Sequence, residues 1–232
     1  VFMWTFISIF VLLAGIGAIV WYYAKEFDIW RRDGEPETGF AAQDFMDAAV
    51  ITPSMRATGW YFMLVTALFV VQVLLGMVTA HYAVEGQGIY GLPFAEYFPY
   101  AVTRTWHTQL AILWIATAWL ATGLYVGPLL GGREPKFQAA GVWFLLISLV
   151  VIVAGSFIGE WSAVNRLIAD ATQNFWFGHQ GYEFLDLGRF WQIYLFIGLL
   201  LWVVLVLRGM WPALKRPETR SLLYLVIVAT VS

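Results

Sequence analysis

Long apolar runs, broken by short polar segments, are the first pattern along this 232-residue chain. Residues 1–24 carry no charge, and neither do 57–80, 139–159 or 190–207. Between Arg104 and Arg133 the one ionisable side chain other than tyrosine is His107. A further apolar run opens at Ser221 and continues to Ser232. A helix needs about 20 apolar residues to cross the hydrocarbon core of a bilayer. Lipid offers no water to open backbone groups, and the runs lack the alternation of a membrane barrel strand, so helices are expected. The predicted fold class is all-α: a polytopic transmembrane bundle with five full spans and the start of a sixth.

Composition agrees with that pattern. The chain is 61% hydrophobic and 12% charged, whereas soluble domains are roughly half apolar and a quarter charged. With no cysteine, the chain offers no disulfide, thiolate metal site or cysteine nucleophile. No basic stripe is present, which argues against a nucleic-acid partner. The apolar start at Val1 lacks the basic region of a signal peptide. A first residue other than Met, and an end inside an apolar run, are what a piece of a longer polypeptide would show.

Loop charges orient the spans. Segments 25–56, 133–138 and 208–220 hold ten of the thirteen Lys and Arg residues; 81–104 and 160–189 hold the other three. Basic loops favour the cytoplasmic side, so the first span is expected to run from outside to inside and the rest to alternate. Three segments follow: a membrane helix at 1–24, a polar cytoplasmic linker at 25–56 with a short helix near 43–51, and a bundle from 57 to 232. The glycine-, proline- and aromatic-rich stretch 86–100 reads as an outer interfacial loop with one short amphipathic turn.

This orientation brings all three histidines to the outer side. His107 lies near the start of its span, and an ionisable residue inside a membrane helix is a functional candidate by default. It reads either as an axial haem ligand or as a histidine bonded to a neighbouring helix. Arg104, one turn earlier, suits a haem propionate. His81 and Glu85 share a face if the second helix continues by one turn. They are then either a proton-accepting pair for a quinol or a solvated helix end. His179, Glu183 and Asp186 fall in the second outer loop, where a carboxylate facing a cofactor could hold calcium or simply be hydrated. No phosphate loop, HExxH or Ser–His–Asp signature is present, and the histidines are too few for a haem-plus-metal reaction centre within this chain.

The motifs TAHYAVEGQGIYG, RTWHTQLAILWIATAWLATGLYVGP, EPKFQ, GEW, NFWFGHQGYEFLDLGRFWQ and RGMWPAL occur in that order. Together they resemble quinol-dependent nitric oxide reductase, the single-subunit bacterial branch within the haem–copper oxidase superfamily. The resemblance implies an oxidoreductase of the bacterial inner membrane that reduces two NO to N2O and water. Electrons would come from menaquinol or ubiquinol through low-spin haem b to haem b3 and a non-haem iron. It makes His107 the first axial ligand of the low-spin haem and Arg104 its propionate partner. His81 and Glu85 match the quinol pocket, with Ile89 where an aromatic lines that pocket and Tyr90 beside it. Glu183 matches a carboxylate that holds calcium in the cytochrome c-dependent relatives. The b3 ligand, the second low-spin ligand and the non-haem iron site are expected in the remaining part of the same polypeptide. Catalytic residues for NO reduction are therefore not expected in this stretch. A homodimer is left open, and lipid surrounds the spans. Two rivals stand beside this reading: a fragment of an oxygen-reducing haem–copper oxidase, and a cofactor-free transporter or assembly protein. The latter would need polar residues at mid-membrane, where Gln72 is one of few.

Overall fold

A computed structural model describes residues 2–32, 50–179 and 186–215. The described residues form seven α-helices and a closing 3₁₀ turn, with two isolated bridges (Ile89–Leu92 and His179–Leu187) as the extended pairings. The helices are α1 (Phe2–Arg32), α2 (Pro53–Glu85), α3 (Phe94–Tyr97), α4 (Tyr100–Gly131), α5 (Gln138–Val164), α6 (Ala171–Phe177) and α7 (Arg189–Met210). The all-α fold class expected from the apolar runs is the one observed. Four helices, α2, α4, α5 and α7, are long and apolar enough to cross a membrane; the described apolar stretch of α1, Phe6–Tyr22, is shorter. The chain divides into two compact units, Val1–Ala48 and Ala49–Ser232. In the first, α1 continues through Lys25 to Arg32, beyond the boundary expected at 24. No glycine or proline occurs between Gly17 and Gly34, and Lys, Glu and Arg are good helix formers. The expected helix near 43–51 lies almost wholly outside the described residues, and the expected sixth span lies entirely outside them.

In the second unit α2, α4, α5 and α7 alternate in direction. Their ends are set by local chemistry. Thr52 caps α2, its hydroxyl accepting from the Met55 amide at 3.3 Å, and Pro53 occupies the first turn, where a missing N–H costs nothing. The α4 helix closes on Gly132 in the left-handed conformation, whose amide donates to the Pro128 carbonyl. Asp170 caps α6 through the Gln173 amide at 2.8 Å.

Between lipid-solvated helices the apolar driving force is weak, so close backbone approach and interhelical hydrogen bonds hold the bundle. α2 packs mainly along α4, and α7 packs on α4 and α5. Gly123, Gly127 and Gly131 recur every fourth residue on α4 and face α7. A methyl on Gly123 would reach 2.8 Å from the Trp202 indole, and one on Gly131 would overlap the Gly209 carbonyl. Four side chains tie the helices together. Tyr61 donates to the Val142 carbonyl (2.7 Å), Gln138 to that of Leu205 (2.8 Å) and Trp202 to that of Leu120 (3.0 Å), while the hydroxyls of Tyr194 and Ser148 pair at 3.2 Å. Tyr61, Gln138 and Trp202 are all buried, so each bond satisfies a donor that has no water to turn to.

The α4–α7 contact therefore has no room for a side chain at Gly131. Gly131→Ala is expected to destabilise the bundle by about 1–3 kcal/mol through overpacking, read as a lowered midpoint in thermal denaturation of the detergent-solubilised protein. Gly15→Ala, with open space around its Cβ position, is expected to leave the midpoint within error.

Candidate functional site

The ends of α2 and α5 and the starts of α4 and α7 meet at one end of the bundle, and the candidate residues gather there. His107 lies in the second turn of α4, half-buried against α2. Its Nδ1 is 2.8 Å from the backbone carbonyl of Gln72. A carbonyl only accepts, so Nδ1 carries the ring proton and Nε2 keeps its lone pair. Gly76, four residues after Gln72 on the same face, makes the contact possible. A Cβ there would lie 2.6 Å from His107 Cε1 and 2.8 Å from Nδ1. The imidazole thus sits where a side chain would be and reaches a carbonyl that a side chain would shield. An N–H bonded to a carbonyl behind the ring is how metal-binding histidines are oriented, so the cradle and tautomer fit an axial ligand of a haem. Arg104 is one turn earlier on α4, half-buried.

His81 is 3% exposed near the end of α2. The helix does continue to Glu85, which brings Glu85 Oε2 to 2.9 Å from His81 Nδ1. The other ring nitrogen, Nε2, is 2.8 Å from the Gly88 carbonyl and must be the donor there. Nδ1 and the carboxylate oxygen therefore face each other as two acceptors unless a proton sits between them. The pair, an imidazole nitrogen and a half-exposed carboxylate oxygen, is arranged to share a proton. Gly76 and His81 are five residues apart on α2, about 7.5 Å of helical rise, so imidazole and dyad occupy successive levels of one helix.

The loop after α2 is folded back over this end by side-chain donors. Besides His81, Tyr82 donates to the Phe98 carbonyl at 3.0 Å and Trp161 to the Tyr97 carbonyl at 2.7 Å. Where one short amphipathic turn was expected in this loop, the four-residue helix α3 is found. Ile89 to Leu92 form a turn closed by the Leu92 amide on the Ile89 carbonyl (2.8 Å), with positive φ at both Tyr90 (47°) and Gly91 (79°). Glycine adopts that geometry freely, whereas tyrosine is strained in it. The turn separates the two neighbours named from the sequence. Ile89 is buried at 9% exposure, while Tyr90 is 81% exposed with its ring 6.3 Å from that of His81 and nearly parallel to it. Tyr90 presents an aromatic surface beside the dyad, next to the position where Ile89 stands.

His179 stands in the turn from α6 to α7, its amide donating to Asn174 Oδ1 at 3.3 Å, with Asp186 exposed nearby in sequence. Glu183, the expected calcium ligand, lies outside the described residues. Among the described residues no group of three or more His, Asp or Glu side chains is arranged to hold a metal ion.

Glu160 was not singled out from the sequence, because the fourth apolar run was expected to end at 159. The helix runs on to Val164 and buries Glu160 at 1% exposure. Gln109, two residues after His107, donates to its Oε1. Trp106 stacks on Phe157 of the same helix at 4.9 Å. These contacts fix α4 against α5. The GEW motif held the signal: a carboxylate closing an apolar run needs a partner if the helix continues.

Gly76→Ala is expected to displace the His107 ring while sparing the rest of α2. If His107 binds haem iron, purified protein should lose most of its low-spin haem signal; an unaltered spectrum would show that the cradle does not position the ring.

The family model described as Cytochrome C and Quinol oxidase polypeptide I matches residues 56–232. A comparison with curated proteins finds no match.

Proposed function

Since this chain belongs to the cytochrome c and quinol oxidase polypeptide I family of haem–copper oxidases, we propose that it is the electron-entry part of a quinol-dependent nitric oxide reductase. Membership makes it a haem-binding, multi-pass membrane oxidoreductase in contact with lipid. The finer reading rests on one observation: a dyad able to take up a proton, flanked by an exposed aromatic ring, lies at the same end of the bundle as a histidine with a free Nε2 lone pair. The resemblance of the motif series between 79 and 214 favours nitric oxide over oxygen as the terminal acceptor.

In this proposal His107 Nε2 holds the haem and Arg104 neutralises a propionate. The haem would supply a one-electron acceptor within the bundle. Quinol oxidation releases two electrons and two protons, and protons need an acceptor at the point of release. Glu85 is 45% exposed and His81 is 4% exposed at the side chain, so the carboxylate offers the outward contact and the imidazole the inward one. In the proton-free dyad, either Nδ1 or Oε2 accepts the quinol hydroxyl proton. The Gly88 carbonyl keeps Nε2 protonated, which aims the basic nitrogen at the carboxylate. Tyr90 supplies a flat face for the quinol ring. We further propose that this end faces outward, that 1–24 links the bundle to a preceding segment, and that calcium binds at Glu183.

The discriminating assay follows NO and O2 consumption by the intact protein with reduced quinol or an artificial one-electron donor. Quinol-supported NO consumption is expected, and His81→Ala should lower it by about a hundredfold, the usual weight of a positioned acid–base group, while donor-supported turnover persists. O2 consumption without NO consumption would instead identify an oxygen-reducing oxidase. Equal loss with both donors would remove His81 from quinol chemistry.

A further inference from the structure

The opposite end of the bundle carries a second site, formed by the α4–α5 connection and the last turns of α7. Arg133, Lys136 and Arg208 surround a cavity of about 590 Å³, whose apolar wall is made by Val204, Leu207 and Trp211. We infer that this cavity binds the headgroup of an anionic phospholipid.

Charge is the first support. The lining holds three cations and one carboxylate, Glu134, for a formal balance of +2. Glu134 is committed elsewhere: Oε2 accepts the Ser54 amide at 3.2 Å and Oε1 the Ala139 amide at 3.1 Å, tying the starts of α2 and α5 together. It forms no ion pair with the lining cations that would cancel them. Arg208 spends one N–H on the Lys136 carbonyl at 2.8 Å, which closes the pocket wall and leaves the rest of its guanidinium fork for a ligand. Arg133 and Lys136 are exposed. Basic pockets between membrane helices recognise anionic headgroups.

Shape is the second support, and it separates a lipid from a free anion. Ile193, Ile197, Leu200, Val204 and Leu207 recur at helical spacing along α7 and are exposed, from 37% at Leu207 to 57% at Ile197. That stripe leads directly into the apolar wall of the cavity. A phosphate could lie among the three cations while an acyl chain follows α7 into the bilayer. Trp211, 60% exposed at the rim, suits the headgroup level, where tryptophan is enriched. Neither the dyad nor His107 takes part, so the site stands or falls independently of the proposed activity.

The test is native mass spectrometry of the intact protein in neutral detergent, titrated with phosphatidylglycerol or phosphatidylcholine. The variant pair Arg133→Gln and Lys136→Gln removes two charges and leaves the Arg208 bond to the Lys136 backbone. Affinity for phosphatidylglycerol should fall about thirtyfold in that double variant, given the worth of each basic residue near a membrane surface. The charge-conserving pair Arg133→Lys and Lys136→Arg should retain it and controls for folding. Equal binding of the two lipids by the unaltered protein, or an anionic preference unchanged by the Gln pair, would overturn the inference. Displacement by inorganic phosphate at the lipid's own concentration would overturn it too, in favour of a free-anion site.

Discussion

The hydrogen bond from His107 Nδ1 to the Gln72 carbonyl is the contact on which the functional end of this protein depends. It is made across the α2–α4 interface, the most extensive in the bundle, and it needs Gly76 to be glycine. One backbone acceptor therefore sets the ring position, its tautomer and the closeness of two helices. Gln109 and Trp106, flanking His107 in sequence, bind α4 to α5 through Glu160 and Phe157. The imidazole is held between two helix contacts rather than by α4 alone.

The same economy runs through the fold. In lipid, helices gain little from burying apolar surface, so position is fixed by small residues and by side chains that find backbone carbonyls. The α4 glycines admit α7, and Tyr61, Gln138 and Trp202 each satisfy a carbonyl on a neighbouring helix. At the His81 end, three donors pull the loop after α2 onto the helices. At the other end, Glu134 joins the starts of α2 and α5 through its two amide bonds and forms no ion pair with Arg133, Lys136 or Arg208. The division of labour between the ends follows from where each carboxylate spends its oxygens.

Much of this was legible in the sequence, and the parts that were not share a cause. The spans were readable because each is an uncharged run of membrane length. Helix ends were not, since Lys25–Arg32 and Glu160–Val164 stay helical with polar residues in them, and only tertiary contacts such as Gln109–Glu160 reveal it. The pairing of His81 with Glu85 followed from i, i+4 spacing once the helix was known to continue. His107 stood out as an ionisable residue in an apolar span, but Gly76 did not, because nothing local connects residue 76 with residue 107. That Ile89 is buried while Tyr90 is exposed beside His81 was not readable, because the turn needs positive φ at a tyrosine, a conformation that its residue type argues against.

The central claim is that His107, set by Gln72 and Gly76, is the ligand through which this end of the bundle receives electrons. It is tested most directly by the reduced-minus-oxidised optical spectrum of the intact protein beside that of His107→Ala. The account predicts that the low-spin b-type signal disappears in the variant while high-spin haem is retained. A low-spin signal that persists unchanged would contradict it and leave His107 as a histidine that only joins two helices.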